Sequence, residues 1–363
     1  MNSRINETFI IKEAKAGAKM GVDIMQIDDG WQRGLEKSTN TGGTDLWQGI
    51  WKATDKFWLP HPTRLPKGLT PIAKTCEKLG IQMGIWYVVD PQDSYANWRL
   101  DLARLMELHR EQGVNFFKFD GVILSTKESE KNFNQLIAEL LSQSNNKITI
   151  DLDVTAGVRQ GYFGSLINGT LFVENRYTDW HGYWPHQTLR NLWTLSQYID
   201  PVRLRFEFLN NSRNLSFYTN DPLAPVNYQG DYLFATVMFA SSLAWFEVQN
   251  YPEVAFKQVG KLVKIWKQHR EAIARGSIFP IGSQPDGTSW TGFCSRSADK
   301  KSSYVLIFRE LNNVAEHTFE LPIQPTEKLN IKKLAGSGSA KLRKNTLFVK
   351  IPKQLSYFFA KIN

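Results

Sequence analysis

From residue 6 to about residue 275, the sequence alternates between short apolar runs of β type and longer segments with helical spacing. Strands that are apolar along their whole length are buried on both faces, and in alternation with helices they indicate a parallel sheet covered by helices. The runs that predict strands are Val22–Ile27, Ile81–Val89, Val114–Phe119, Lys147–Leu152, Thr170–Glu174, Val202–Phe208 and Leu243–Val248.

Seven such strands are one fewer than a (β/α)8 barrel of the TIM type contains. The chain also opens on a helix-like segment, Glu7–Met20, with no strand before it. We therefore expect a TIM-type barrel that lacks its first strand, with Val22–Ile27 as the second strand. An open doubly wound sheet is the alternative, because it needs no closure.

After Arg275 the pattern changes to short runs separated by Gly, Pro, Asn and Ser. Short, evenly spaced strands favour an antiparallel β-sandwich. The prediction is a catalytic barrel over residues 1–275 and a C-terminal sandwich domain over 276–363. The runs are Ser277–Ile281, Trp290–Ser295, Ser303–Arg309, Ala315–Leu321, Leu329–Leu334, Thr346–Ile351 and Tyr357–Lys361.

The charge is unevenly distributed along the 363 residues, whose formal net charge is +9. Residues 300–363 hold 12 Lys and Arg against 4 Asp and Glu, so nearly all of the excess lies there. A chain-wide field for nucleic acid is not indicated. We expect neither a nucleic-acid nor a membrane partner, because no apolar run approaches the roughly 18 residues of a membrane span.

Two cysteines, Cys76 and Cys294, lie far apart in the sequence and outside any C-x-x-C spacing. Neither a disulfide framework nor a zinc finger is predicted. Residues 1–15 contain no run of signal-peptide type, yet a start that looks truncated leaves a cytoplasmic, periplasmic or secreted location open.

Carboxylates and aromatic residues follow nearly every predicted strand, at the end where a parallel barrel carries its working groups. Carboxylates accept hydrogen bonds from sugar hydroxyls, indole faces stack on pyranose rings, and two carboxylates cleave a glycosidic bond. The pattern therefore predicts a sugar site, although many of the twelve tryptophans would simply fill the core. The strand-end groups are Asp28, Asp29, Trp31, Trp86, Asp90, Lys118, Asp120, Asp151, Asp153, Glu174, Asp179, Glu207 and Glu247.

Five short motifs occur in the order found in one enzyme family: IDDGW (27–31), GIW (84–86), FKFD (117–120), TAGVR (155–159) and WKQHRE (266–271). With them the chain resembles the melibiase superfamily, the α-galactosidase clan of retaining glycoside hydrolases. The resemblance implies a barrel with a C-terminal sandwich, hydrolysis of terminal α-galactosides, and no cofactor. Relative to bacterial family 36 members, the chain reads as N-terminally truncated.

By this resemblance Asp120 is the nucleophile and Lys118 holds a sugar hydroxyl. Asp28 and Asp29 would bind two further hydroxyls, with Trp31 and Trp86 as pocket walls. Lys118 lies two residues before Asp120, on the same side of a strand, where its charge would favour the ionised carboxylate. A salt bridge with no role beyond stability is the alternative for this pair.

The acid/base is predicted to be Asp179, with Glu174 as the competitor, since Arg176 occupies the position of the family's first aspartate. Retention requires the two carboxyl groups to lie roughly 5–5.5 Å apart. Asp153 stands where bacterial relatives have a Cys-Ser-Ser-Gly-Gly-type loop and would face the sugar's 2-position. Arg159 would either bind substrate or pair with Asp151 or Asp153.

His181 and His186 lie near Asp179 but lack the spacing of a helical zinc pair, so substrate contact or core packing is favoured and no metal is predicted. The leading interpretation is a retaining exo-glycosidase acting by double displacement on an oligosaccharide or glycoside. The alternative is a catalytically impaired carbohydrate-binding remnant of such an enzyme. Either is compatible with a homo-oligomer.

Overall fold

The computed structural model describes residues 5–34, 48–122, 124–153, 169–173, 182–322 and 330–363. The chain divides into two compact units, Met1–Glu174 and Asn175–Asn363, called the first and second units below. The predicted domain boundary at 275/276 remains a prediction.

The first unit alternates helices and strands. In chain order its elements are α1 (Glu7–Met20), β1 (Ile24–Ile27), α2 (Ile50–Ala53), α3 (Thr70–Lys78), β2 (Gln82–Tyr87), α4 (Gln92–Tyr95), α5 (Trp98–Gln112), β3 (Val114–Phe119), α6 (Lys127–Gln143), β4 (Thr149–Asp153) and β5 (Thr170–Val173).

Helix α1 shows how local sequence sets these elements. Asn6 accepts a hydrogen bond from the Phe9 backbone N–H at the N-cap, and Gly21 ends the helix with a φ of 102°. Ile10, Ala14, Gly17 and Met20 recur at intervals of three and four residues and are the buried face.

The five strands of the first unit pair in parallel and in chain order. The register sets Ile27 beside Ile85, Tyr87 beside Phe119, and Phe119 beside Leu152. The residues that follow these strands therefore lie at one end of the sheet, which is where the strand-end carboxylates meet.

The second unit begins with helices and the parallel pair β6–β7 and continues into antiparallel strands. Its elements are α7 (Pro185–Leu195), β6 (Leu204–Phe208), α8 (Gly230–Ala235), β7 (Ser241–Ala244), α9 (Glu253–Lys267), α10 (Arg270–Ala274), β8 (Ser277–Gly282), β9 (Trp290–Arg296), β10 (Ser303–Arg309), β11 (Glu316–Glu320), β12 (Ile331–Gly336), β13 (Ser339–Arg343), β14 (Thr346–Lys350) and β15 (Ser356–Ile362).

The antiparallel strands form a five-stranded sheet, β12-β15-β10-β9-β8, and a three-stranded sheet, β11-β14-β13. Side chains from both sheets share one apolar core, which includes Cys294, Val305, Phe319, Leu347 and Phe358. The short, evenly spaced runs after residue 275 predicted these antiparallel strands, and their arrangement as a sandwich stays a prediction.

Most predicted elements occur where the sequence placed them, and helix Glu7–Met20 has the predicted bounds. Two differ. The strand expected at Leu243–Val248 is Ser241–Ala244, and β13 was not predicted. No helix of the described ranges is long and apolar enough to cross a membrane.

Candidate active site

Asp120 follows β3 directly and is held by two N–H donors. The indole Nε1 of Trp86 donates to Oδ2 at 3.0 Å, and the Gly121 backbone N–H donates to Oδ1 at 2.7 Å. Gly121 has a φ of 63°, a conformation that glycine adopts without strain. Each carboxylate oxygen thus has a donor that fixes its direction.

Lys118 lies between two carboxylates at the same end of the sheet. Its Nζ is 3.3 Å from Asp153 Oδ2 and 3.5 Å from Asp28 Oδ2. The ammonium also lies 4.6 Å from the centroid of the Phe172 ring. Lys118 and Asp153 are buried, whereas 37% of the Asp28 side chain is exposed. The positive charge of Lys118 therefore balances the negative charges of the buried Asp153 and the partly exposed Asp28.

Asp29 is buried, and its described contacts lie within its own turn. It accepts a hydrogen bond from Gln32 Nε2, and the Oε1 of the same glutamine accepts one from the Gly30 backbone N–H. Arg64 donates to the Gly30 carbonyl at 2.6 Å, and the charge of Asp29 opposes the lowering of the arginine's pKa by burial. Gln32 and Arg64 were not predicted, and they fix the turn that carries Asp28 and Asp29.

Trp31 and Trp86, predicted as pocket walls, are both buried in an aromatic cluster with Trp58 and Tyr87. Trp31 stacks on Trp58 at 6.0 Å and donates its indole N–H to the Trp86 carbonyl at 2.8 Å. The ring of Trp58 lies 4.1 Å from that of Tyr87. Trp31 thus contacts the site through Trp86, and Trp86 contacts it directly.

Three predicted site residues, Asp179, Glu174 and Arg159, lie outside the described residues, as does His181. In the second unit His186 is buried on α7, and burial together with Arg190 lowers its pKa to about 4. Within the described ranges no group of three or more His, Cys, Asp or Glu side chains is placed to hold a metal ion.

No family model matches the chain. Among curated proteins, α-galactosidase AgaA of Geobacillus stearothermophilus is 29% identical over 87 residues, 24% of this chain and 10% of that protein. A probable α-galactosidase C of Aspergillus flavus is 31% identical over 101 residues, 25% of this chain and 12% of that protein.

Solved structures extend the likeness over nearly the whole chain. A family GH36 α-galactosidase structure, AgaA of G. stearothermophilus, has a TM-score of 0.70 at 15% identity, covering 99% of this chain and 53% of that one. The α-galactosidase of Lactobacillus brevis has a TM-score of 0.72 at 13% identity, with 99% and 53% covered. The chain thus spans about half the length of these structures.

Strand-end carboxylates, one of them held by two N–H donors and another paired with a buried lysine, are groups of the kind that a glycoside hydrolase site uses. The fold is that of the α-galactosidase structures, and the sequence matches are to α-galactosidases. The chain is therefore similar to the family 36 α-galactosidases, in sequence over about a quarter of its length and in fold over nearly all of it.

Proposed function

We propose that the chain hydrolyses terminal α-galactosides, or closely related α-glycosides, with retention of configuration. The observation that carries this proposal is the geometry of Asp120, whose oxygens accept hydrogen bonds from Trp86 and Gly121. Two residues earlier on β3, Lys118 pairs with Asp153. A carboxylate fixed in direction at a strand end is suited to attack at an anomeric carbon.

The mechanism is a double displacement. An Asp120 oxygen bonds to the anomeric carbon while the glycosidic C–O bond breaks, and the leaving oxygen takes a proton from the acid/base. Water then attacks the glycosyl-enzyme and gives its proton to that same residue, which frees Asp120. We propose Asp179 as the acid/base, with Glu174 as the competitor.

Sugar recognition is assigned to the groups around Lys118. Its ammonium would donate to a hydroxyl oxygen, and Asp28, Asp29 and Asp153 would accept from hydroxyl hydrogens. AgaA has been solved in complex with raffinose, which makes an oligosaccharide with a terminal α-galactose the first substrate to examine. Arg159 is proposed as a further substrate contact.

The architecture proposed with this function is a (β/α)8-type barrel over residues 1–275 and a C-terminal sandwich over 276–363. Parallel pairing of β1 to β5 and of β6 with β7 supports the first. The apolar core shared by the two antiparallel sheets supports the second.

The test is Asp120→Asn in the full chain, assayed with aryl α-glycosides. Asparagine keeps the size of the side chain and removes its nucleophilicity, so hydrolysis should fall by at least a thousandfold. Asp55→Asn, the same change at an exposed position of the first unit, is the matched control and should leave the rate unchanged. Undiminished hydrolysis by Asp120→Asn would exclude Asp120 as the nucleophile.

Asp179→Ala and Glu174→Ala distinguish the acid/base candidates. The true acid/base variant should lose hydrolysis of a disaccharide far more than hydrolysis of an activated aryl glycoside, because an activated phenolate leaves without a proton. Galactose binding by the wild type with no turnover of either substrate would favour the carbohydrate-binding alternative instead.

A further inference from the structure

The dipeptide Trp86–Tyr87 holds Asp120 at two points. The Trp86 indole N–H donates to the Asp120 carboxylate, and the Tyr87 carbonyl accepts from the Asp120 backbone N–H at 3.0 Å. Because successive side chains of a strand point to opposite faces, Tyr87 points away from Asp120 while its backbone stays bonded to it. Whatever fixes Tyr87 therefore also fixes Trp86.

Tyr87 is fixed by a buried carboxylate on α5. Its hydroxyl donates to Asp101 Oδ1 at 2.8 Å, and Asp101 Oδ2 accepts from the Asp90 backbone N–H at 3.3 Å. Both side chains are fully buried. Asp101 thus binds both Tyr87, the last residue of β2, and Asp90, three residues further along the chain.

Asp90 extends this connection to the segment before α3. Its carboxylate accepts from the backbone N–H groups of Gly49, Trp51 and Gln92, at 2.9, 3.3 and 3.1 Å. The α2 segment, the end of β2 and helix α5 are therefore joined through two neighbouring carboxylates, neither of which was assigned a role in the reaction.

We propose that Asp101 is a positioning residue: through Tyr87 it holds the Trp86 indole N–H on Asp120, and it does so in its ionised form. This inference rests on the proposed function for its kinetic consequence but not for its structural one. The described hydrogen bonds of Asp101 go to Tyr87 and to the Asp90 backbone, so its effect on Asp120 passes through β2.

The ionised form is the one that the geometry fits. Asp101 accepts from the Tyr87 hydroxyl and from the Asp90 backbone N–H, and a proton on Oδ2 would point at that N–H and disrupt the second bond. Burial raises the pKa of Asp101 to about 7, as does the Asp90 charge, while Tyr87, Trp51 and the Asp90 backbone lower it. Arg104, one turn further along α5, lowers the pKa of Tyr87.

The structural test is the indole resonance of Trp86 in the full chain labelled with ¹⁵N-tryptophan, assigned by its loss in Trp86→Phe. In the wild type this resonance should shift with pH, with a midpoint near 7. In Asp101→Asn the midpoint should be absent, because the amide does not titrate. Tyr87→Phe removes only the hydroxyl that connects Asp101 to β2, so the pH-dependent shift of the Trp86 resonance should disappear in this variant too. Tyr87→Phe therefore tests the inference even if Asp101→Asn does not fold.

The kinetic test compares the same variants with Leu105→Ala, a fully buried apolar position on α5 without a polar atom. Asp101→Asn should lower kcat about tenfold with KM within twofold, since displacement of a reacting group acts on the chemical step. Leu105→Ala should lower the melting temperature and leave kcat and the resonance midpoint unchanged.

A Trp86 resonance with the same pH dependence in the wild type and in Asp101→Asn would overturn the inference, whatever the activity. So would a loss of kcat in Leu105→Ala as large as that in Asp101→Asn. If the wild type hydrolyses no glycoside, the proposed function fails, and the resonance alone decides the role of Asp101.

Discussion

The indole Nε1 of Trp86 donates to Oδ2 of Asp120 at 3.0 Å. A residue of β2 thus contacts the candidate nucleophile, which directly follows the paired strand β3. Neighbouring strands thus supply the carboxylate and its donor. Four predictions concern this contact and the buried charges of the two units.

Replacing Trp86 with phenylalanine should lower kcat about tenfold, because Asp120 loses the donor that directs Oδ2 and gains freedom to rotate. Steady-state kinetics with aryl α-glycosides measures this change. Trp290→Phe, which removes an indole bonded to the Val314 carbonyl in the second unit, is the matched control and should preserve kcat. Equal losses in both variants would contradict a role for the Trp86–Asp120 bond.

Lys118→Met should destabilise the chain by about 3–5 kcal/mol, the usual result of leaving a buried carboxylate without its cation. Asp153, fully buried, is the carboxylate concerned. Urea unfolding measures the loss, and the double variant with Asp153→Asn should recover much of it. Lys52→Met, at an exposed pair with Asp93, should change stability by less than about 0.5 kcal/mol.

The buried carboxyl of Glu310 should make the stability of the second unit depend on pH. Burial raises its pKa to about 7, although three backbone N–H groups, of Asp286, Gly287 and Ser289, donate to it. A carboxyl with a raised pKa in the folded state contributes stability that is complete below its unfolded pKa and is lost as pH rises through 7.

Between pH 5 and pH 7 this single group should reduce the free energy of unfolding by up to about 1.4 kcal/mol per pH unit. Glu310→Gln should remove that part of the slope, which denaturant titrations at several pH values would show. Parallel slopes in the wild type and the variant would mean that Glu310 is ionised across this range.

Arg309→Met should destabilise the second unit by several kcal/mol. The buried guanidinium donates to the backbone carbonyls of Asn312, Ile351 and Pro352, at distances of 2.7–2.9 Å, and methionine would leave these acceptors without their donors. Thermal unfolding measures the effect. Arg343→Met, at an exposed position on β13, is the control and should lie within about 0.5 kcal/mol of the wild type.

The sequence predicted the parallel elements well because buried strands and amphipathic helices leave strong periodic patterns. Strand β13 was missed although it alternates, because its apolar side is weak: Ala340 and Leu342 are only half-buried, between exposed Ser339, Lys341 and Arg343. The strand expected at Leu243–Val248 was displaced because Ser241 and Ser242 belong to the pairing with β6, which an apolar pattern does not indicate.

Within the site, the sequence placed Asp120, Lys118 and Trp86 at strand ends, but it could not show how they pair. Lys118 was expected to act on Asp120, which stays a prediction, and the sequence did not indicate that Lys118 also pairs with Asp28 and Asp153. Asp101 left a signal that was not used: an aspartate on the apolar stripe of α5, between Trp98 and Leu105. A charge on such a stripe is costly unless a polar partner meets it.

The two cysteines have a practical consequence. Cys76 lies buried on α3 in the first unit and Cys294 lies buried on β9 in the second, and burial raises their pKa values to about 11 and about 12. A buried thiol of that kind reacts with an alkylating reagent only after its surroundings open. Each unit therefore carries one internal reporter, and the two labelling rates would measure separately how often the first unit and the second unit open.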